Sequence, residues 1–277
     1  MFESAELGHK IDRKTFQKEV PLLRAALLDV QYDLMEKREF PVVILVSGVD
    51  GSGKSETINL LYSWMDPRHI STLAFAAPTD EESERPFMWR YWRALPPKGK
   101  IGIFAGSWYS QPIADRIQKK MKRAEMEETL DEINRFEAML VNEGALVLKF
   151  WFHLSKDGQK TRLKAMEKDP RTAWRVTKSS WDRLKTYDDL QSVAGHVLRV
   201  TNTAHAPWTI IEGTDDNYRS LTVGHIVRDT IRKHLEQATR GSVPVAPPIV
   251  PAIDKRNVLT ELDLTQKLDK KVYERDL

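Results

Sequence analysis

Gly48-Val49-Asp50-Gly51-Ser52-Gly53-Lys54-Ser55 reads G-x-x-x-x-G-K-S, and the chemistry of that spacing is the capture of phosphate. Gly48, Gly51 and Gly53 let backbone N–H groups turn inward onto phosphate oxygens, and Lys54 adds a point charge. A helix beginning at the loop's end directs its positive pole at the same anion. The Ser55 hydroxyl is of the kind that holds magnesium. Asp50 is unusual here, because a carboxylate among phosphates repels them unless it binds metal or takes a proton from an acceptor. A turn-forming role is the plainer alternative for it.

The segment before the loop, Pro41-Val42-Val43-Ile44-Leu45-Val46, is a continuous apolar, largely β-branched run of the kind found in parallel strands buried on both faces. Similar runs recur at 72–76, 101–104, 145–152 and 208–211. Helical patterns lie between them, clearest at Met126, Leu130, Ile133, Phe136 and Leu140, ending at Gly144. An earlier apolar stripe, Phe16, Val20, Leu23, Leu27, Val30 and Leu34, predicts an amphipathic helix that Pro21 either opens or kinks. Strands alternating with helices imply a parallel sheet with right-handed crossovers. The fold class expected is therefore α/β, a three-layer P-loop kinase-like fold with about five parallel strands.

Composition adds bounds. The 277 residues, 41% hydrophobic, suffice for one large core, and the absence of cysteine excludes disulfides and thiolate chemistry. No apolar stretch is long enough to cross a membrane, so a soluble, cytoplasmic protein is expected. A net charge of +3 is too small to imply a nucleic-acid partner. His69, His153, His196 and His205 show no metal-ligand spacing, and the tryptophans suit core or interface anchors better than base stacking.

Three regions are expected along the chain: a domain over 1–237, a proline-rich linker over 238–262 and a tail over 263–277. Residues 267–277 can be laid without gaps on 10–20, with Lys10, Asp12 and Lys14 matching Lys267, Asp269 and Lys271. The tail therefore reads as the start of a second copy of the same domain, a chance match of two charged amphipathic segments being the alternative.

Taken in order, the loop 48–54, Trp64-Met65-Asp66-Pro67-Arg68, Ala77-Pro78-Thr79-Asp80-Glu81-Glu82, Trp89-Arg90-Tyr91-Trp92-Arg93, Ser107-Trp108-Tyr109 and Ala206-Pro207-Trp208 resemble the signature stretches of the second family of polyphosphate kinases. The opening and the linker resemble the first half of its two-domain members, the polyphosphate:AMP phosphotransferases. The resemblance implies phosphoryl transfer between inorganic polyphosphate and a nucleotide, AMP to ADP, with Mg2+ and a mobile basic lid. It implies phosphate binding by Gly48, Gly53 and Lys54, and help from Asp50 in activating the acceptor. Residues 156–185, dense in cations that include Arg162, Arg171, Arg175, Lys178 and Arg183, would form the lid, a surface helix pair being the alternative. Arg90 and Arg93, three apart on one helical face, could meet an anionic chain or simply face solvent. The same choice applies to the cluster Lys119, Lys120, Lys122 and Arg123.

The resemblance breaks at Ile103-Phe104-Ala105-Gly106-Ser107-Trp108-Tyr109-Ser110-Gln111, where active relatives carry Asp-Arg before Ser-Trp-Tyr and an Arg shortly after it. Ala105, Gly106 and Gln111 supply none of these charges, and Asp115-Arg116 cannot restore the lost metal ligand directly. Losing roughly 4 kcal/mol of transition-state stabilisation costs about a thousandfold in rate. Three functions are compatible: a polyphosphate-dependent phosphotransferase weakened at Ala105 and Gly106, a silent polyphosphate-binding repeat supporting an active second domain, or an ATP-dependent nucleotide kinase. A homo-oligomer and a tandem second domain are expected partners.

Overall fold

The computed structural model describes residues 1–239, 267 and 269–276. Five strands, β1 (Val42–Gly48), β2 (Ile70–Ala74), β3 (Ile101–Ala105), β4 (Leu146–His153) and β5 (Trp208–Glu212), form one parallel sheet in the order β2-β3-β1-β4-β5. The helices are α1 (Arg13–Lys37), α2 (Lys54–Trp64), α3 (Asp80–Ser83), α4 (Trp89–Arg93), α5 (Ser110–Ile117), α6 (Arg123–Asn142), α7 (Lys156–Lys168), α8 (Lys178–Lys185), α9 (Tyr187–Val200), α10 (Asp216–Thr239) and α11 (Lys270–Asp276). Residues 1–239 make one compact unit and 240–277 belong to another.

Alternation along the central strands builds the three layers. Val42, Ile44, Val46, Phe150 and Phe152 pack with Leu27 and Leu34 of α1, Ile58 of α2 and Val227 of α10. Val43, Leu45, Val147 and Trp151 face the other way, onto Leu130 and Ile133 of α6 and Val197 of α9. β1 lies between β3 and β4, so the order reverses beside it, and the loop that leaves β1 opens into the crevice that such a switch point creates.

Some boundaries differ from expectation. α1 does not open at Pro21 but continues through it, capped by Asp12, whose carboxylate accepts from the N–H groups of Lys14 at 2.9 Å and Thr15 at 3.0 Å. β2 occupies 70–74 rather than 72–76 because β3 ends at Ala105, the partner of Ala74. α10 runs to Thr239, two residues into the expected linker, and the rest of the linker lies outside the described residues. In the second unit, Asp269 accepts from Lys271 N–H at 2.9 Å and α11 starts one residue after it. α1 starts in the same register after Asp12.

Candidate functional site

The loop between β1 and α2 takes the form its glycines allow, with φ of +136° at Gly48, +76° at Gly51 and +88° at Gly53. Gly53 is required on two counts. Its backbone is left-handed, and a Cβ there would come 2.1 Å from the guanidinium carbon of Arg219. Lys54 folds back over the loop, its Nζ donating to the carbonyls of Gly48 and Val49, each at 2.7 Å, with the Asp50 carboxylate 3.9 Å away. Burial pushes the Lys54 amine below its ordinary 10.5, and Asp50 opposes that shift. The loop stands at the N-terminus of α2, with one partly exposed ammonium folded back onto its carbonyls.

The region expected to be a lid is folded as α7, a 3-10 turn at Ala173–Arg175, and α8. Its arginines reach acids around the loop. Arg183 Nε donates to Asp50, Arg175 Nη1 donates to Glu56 Oε1 at 3.1 Å, and Arg162 Nη2 donates to Asp216 Oδ1 at 3.1 Å. Glu56 is in the first turn of α2 and Asp216 in that of α10. The segment 156–185 is therefore tied by three charge pairs, one to the loop and one each to the first turns of α2 and α10.

Beside the loop, between the end of β2, α4 and α5, lies a cleft of about 310 Å³ lined in part by Arg90, Ser107, Ser110, Gln111, Asp115 and Lys120. Ser107 joins it to the loop, its hydroxyl 3.5 Å from that of Ser47. Arg90 is held in the wall, donating to Ala76 O at 3.1 Å, 3.4 Å from Glu82 and lying over the Phe75 ring. Ala105 ends β3 next to Val46 of β1 and packs, partly buried, against the same apolar core. Gly106 follows with φ +78°.

The structure thus brings together Gly48, Asp50, Gly51, Gly53, Lys54, Ser55 and Arg175, and sets Arg90 in the adjoining cleft. It separates others. Arg93 stacks on Trp89 at 4.6 Å and is exposed, so the two arginines of α4 do not share a ligand face. Arg116 donates to Met121 O within its own turn region. Arg171 is clamped by Asp169, whose carboxyl it holds down at about 2, and Lys178 is exposed at the start of α8. Arg93, Arg116 and Arg171 are each engaged by a neighbour in their own segment, and Lys178 stays at the surface.

Sequence reasoning passed over Glu56, Asp216 and Arg219. It also missed the partner of Trp108 and Tyr109: Glu137 Oε1 accepts from Trp108 Nε1 at 3.0 Å and Tyr109 OH at 2.6 Å. Glu137 Oε2 accepts from Lys149 Nζ at 2.7 Å, with both side chains fully buried. Burial pushes Lys149 down and Tyr109 up. The available signal was Lys149 itself, a charge inside an apolar strand run that must find a buried partner.

For a divalent ion the donor set is sparse. Among the described residues no group of three or more His, Asp or Glu side chains converges. Ser55 offers an exposed side chain in the first turn of α2, and Asp50 a carboxylate that Arg183 engages. These residues fit a magnesium ion that arrives on phosphate oxygens and keeps its waters, rather than one caged by protein.

A parallel sheet in this order and a glycine-rich loop clasping a lysine after its central strand define a P-loop kinase-like protein. The chain belongs to the Polyphosphate kinase 2 (PPK2) family, whose model matches residues 10–239. It is 48% identical to the polyphosphate:AMP phosphotransferase of Pseudomonas aeruginosa across all of this chain and 56% of that protein. With the AMP/ADP-polyphosphate phosphotransferase of Meiothermus ruber it shares 29% identity over 76% of this chain and 79% of the other. A crystal structure of a polyphosphate kinase 2 from Pseudomonas aeruginosa matches with a TM-score of 0.80 at 44% identity, covering 99% of this chain and 53% of that one. The chain spans about half the length of the first curated relatives it matches. No helix among the described residues is long and apolar enough to cross a membrane.

Proposed function

We propose that this chain is the phosphate-binding domain of a polyphosphate-dependent nucleotide phosphotransferase that converts AMP to ADP. The observation that carries the proposal is the loop that clasps Lys54 beneath three lid arginines, a site with many cationic donors and little covalent chemistry. Phosphoryl transfer needs that balance, since its catalysis is positioning and charge neutralisation. The loop N–H groups and Lys54 would hold polyphosphate oxygens, and the lid arginines would exchange their carboxylates for phosphate and exclude water. Arg90 and Lys120 in the adjoining cleft would meet the acceptor phosphate. Asp50, released from Arg183, would orient or deprotonate the acceptor. Magnesium, when bound, would neutralise phosphate charge, with Ser55 and Asp50 as the protein's oxygens. The relatives named polyphosphate:AMP phosphotransferase support the choice of substrates.

A second reading, a silent repeat that binds polyphosphate for an active partner domain, is favoured by Ala105 at the end of β3, where no carboxylate is present. The shared capping register of α1 and α11 supports a tandem copy, and homo-oligomerisation and cytoplasmic residence belong to the same proposal. The test is AMP-to-ADP turnover with polyphosphate and magnesium, beside polyphosphate binding by the same sample. Turnover sensitive to Lys54 supports the enzyme, and binding without turnover supports the silent repeat. Replacing polyphosphate by ATP as donor tests for an ATP-dependent kinase. Ala105→Asp is expected to raise turnover at least about tenfold, equivalent to roughly 1.4 kcal/mol of barrier. An unchanged rate would remove Ala105 as the cause of weakness. Gly106→Arg is the poorer restoration, since φ of +78° disfavours any branched carbon there.

A further inference from the structure

Arg219 lies one turn into α10 and is only 2% exposed. Its Nη1 donates to Gly213 O at 3.2 Å and to Asp216 Oδ1 at 2.9 Å. Its Nε donates to the Thr57 hydroxyl at 3.2 Å, and that hydroxyl passes its own hydrogen to Gly53 O at 2.9 Å. The guanidinium fills the space that a Gly53 side chain would need. A permanent cation therefore lies directly behind the loop's last glycine, bonded to the first turn of α2 and to the end of the β5 connection.

Asp216 is shared. The oxygen that accepts from Arg219 also accepts from Arg162 of α7 at 3.1 Å. The Arg162 stem in turn lies 3.3 Å from where a Gly51 Cβ would stand. One carboxylate oxygen thus joins a guanidinium fixed behind the loop to another carried by the lid.

We propose that Arg219 is a positioning residue that sets the phosphate-binding conformation of residues 51–53, and that Asp216 ties the lid helix to it, so that loop shape and lid closure change together. The proposal rests on the phosphate-binding reading of the loop. A planar guanidinium suits this role because its N–H donors leave in fixed directions from a rigid plane, which the rotating ammonium of a lysine does not impose.

The first test needs no ligand. Amide hydrogen exchange is compared in the unmodified chain, Asp216→Asn, Arg162→Gln and the double variant, all at partly or largely exposed side chains, the asparagine keeping an oxygen that can accept from Arg219. Exchange is expected to quicken about tenfold both in the lid helix 156–168 and in the loop 51–53 with either single change, and no further in the double variant. Loop exchange unchanged in Asp216→Asn, or two single effects that multiply in the double variant, would overturn the tether. Arg219→Lys, which keeps charge but loses the fork, is expected to weaken binding of a long-chain inorganic polyphosphate about tenfold. Affinity unchanged in that variant would overturn the positioning role. If the unmodified chain binds no polyphosphate, the functional reading fails, while the exchange comparison still decides the tether.

Discussion

Replacing Glu137 by Ala is expected to lower the stability of the 1–239 unit by about 3–5 kcal/mol, the cost of leaving a buried charge without its partner. Lys149 would keep the Thr201 carbonyl at 2.7 Å and the Tyr109 hydroxyl at 3.2 Å, neither of which carries charge. Trp108 Nε1 and Tyr109 OH would lose their acceptor in the same step. For a domain of this size the loss corresponds to a fall in Tm of roughly 10 °C, readable by calorimetry. Removing the charge from both sides, as Glu137→Leu with Lys149→Met, is expected to recover only the part of that loss due to the unpaired charge, because Trp108 Nε1 and Tyr109 OH stay without their acceptor. A Glu137→Ala chain melting within about 2 °C of the original would show that the pair is not what anchors Trp108 and Tyr109.

Lys54→Met is expected to weaken polyphosphate binding about a hundredfold, close to the 3 kcal/mol upper range for hydrogen bonds to a charged group. The methionine fills similar volume, so a large change in fold stability is not expected and binding can be read directly by titration calorimetry. The same residue predicts a pH dependence. Burial holds the free Lys54 amine below 10.5, and a phosphate would be bound by its protonated form. Affinity should therefore be full near neutrality and decline on alkalisation sooner than an exposed lysine would allow. A Lys54→Met chain that binds as tightly as the original would place the polyphosphate site elsewhere.

The central architecture was legible because its signals are local. An apolar run followed at once by G-x-x-x-x-G-K-S names both the central strand and the phosphate loop, and the periodicity of Met126 to Leu140 names the helix behind it. The rest depends on contacts between distant positions. Nothing around Asp50 announces that Arg183 will reach it, and Arg171 and Arg175 look equivalent in the sequence although Asp169 takes the first and Glu56 the second. Ser107-Trp108-Tyr109 stood out in the sequence as one signature stretch. In the structure only Ser107 lines the cleft, while Trp108 and Tyr109 anchor the start of α5 to Glu137. Pro21 misled in the opposite sense, since the packing of Leu23, Leu27, Val30 and Leu34 outweighs the one hydrogen bond its ring removes.

The three lid arginines are already neutralised before any polyphosphate arrives. Docking of a polyanion is then an ion exchange rather than a plain neutralisation: each phosphate that takes an arginine sets free a carboxylate, and that carboxylate gathers a cation from solution as the polyanion sheds one. The gain from counter-ion release is thereby reduced for those contacts, so the salt dependence of affinity would count fewer contacts than the chain makes. Short anions that cannot replace all three carboxylates at once would leave part of the lid bound to the protein itself, and chain length would be sensed without any residue dedicated to measuring it.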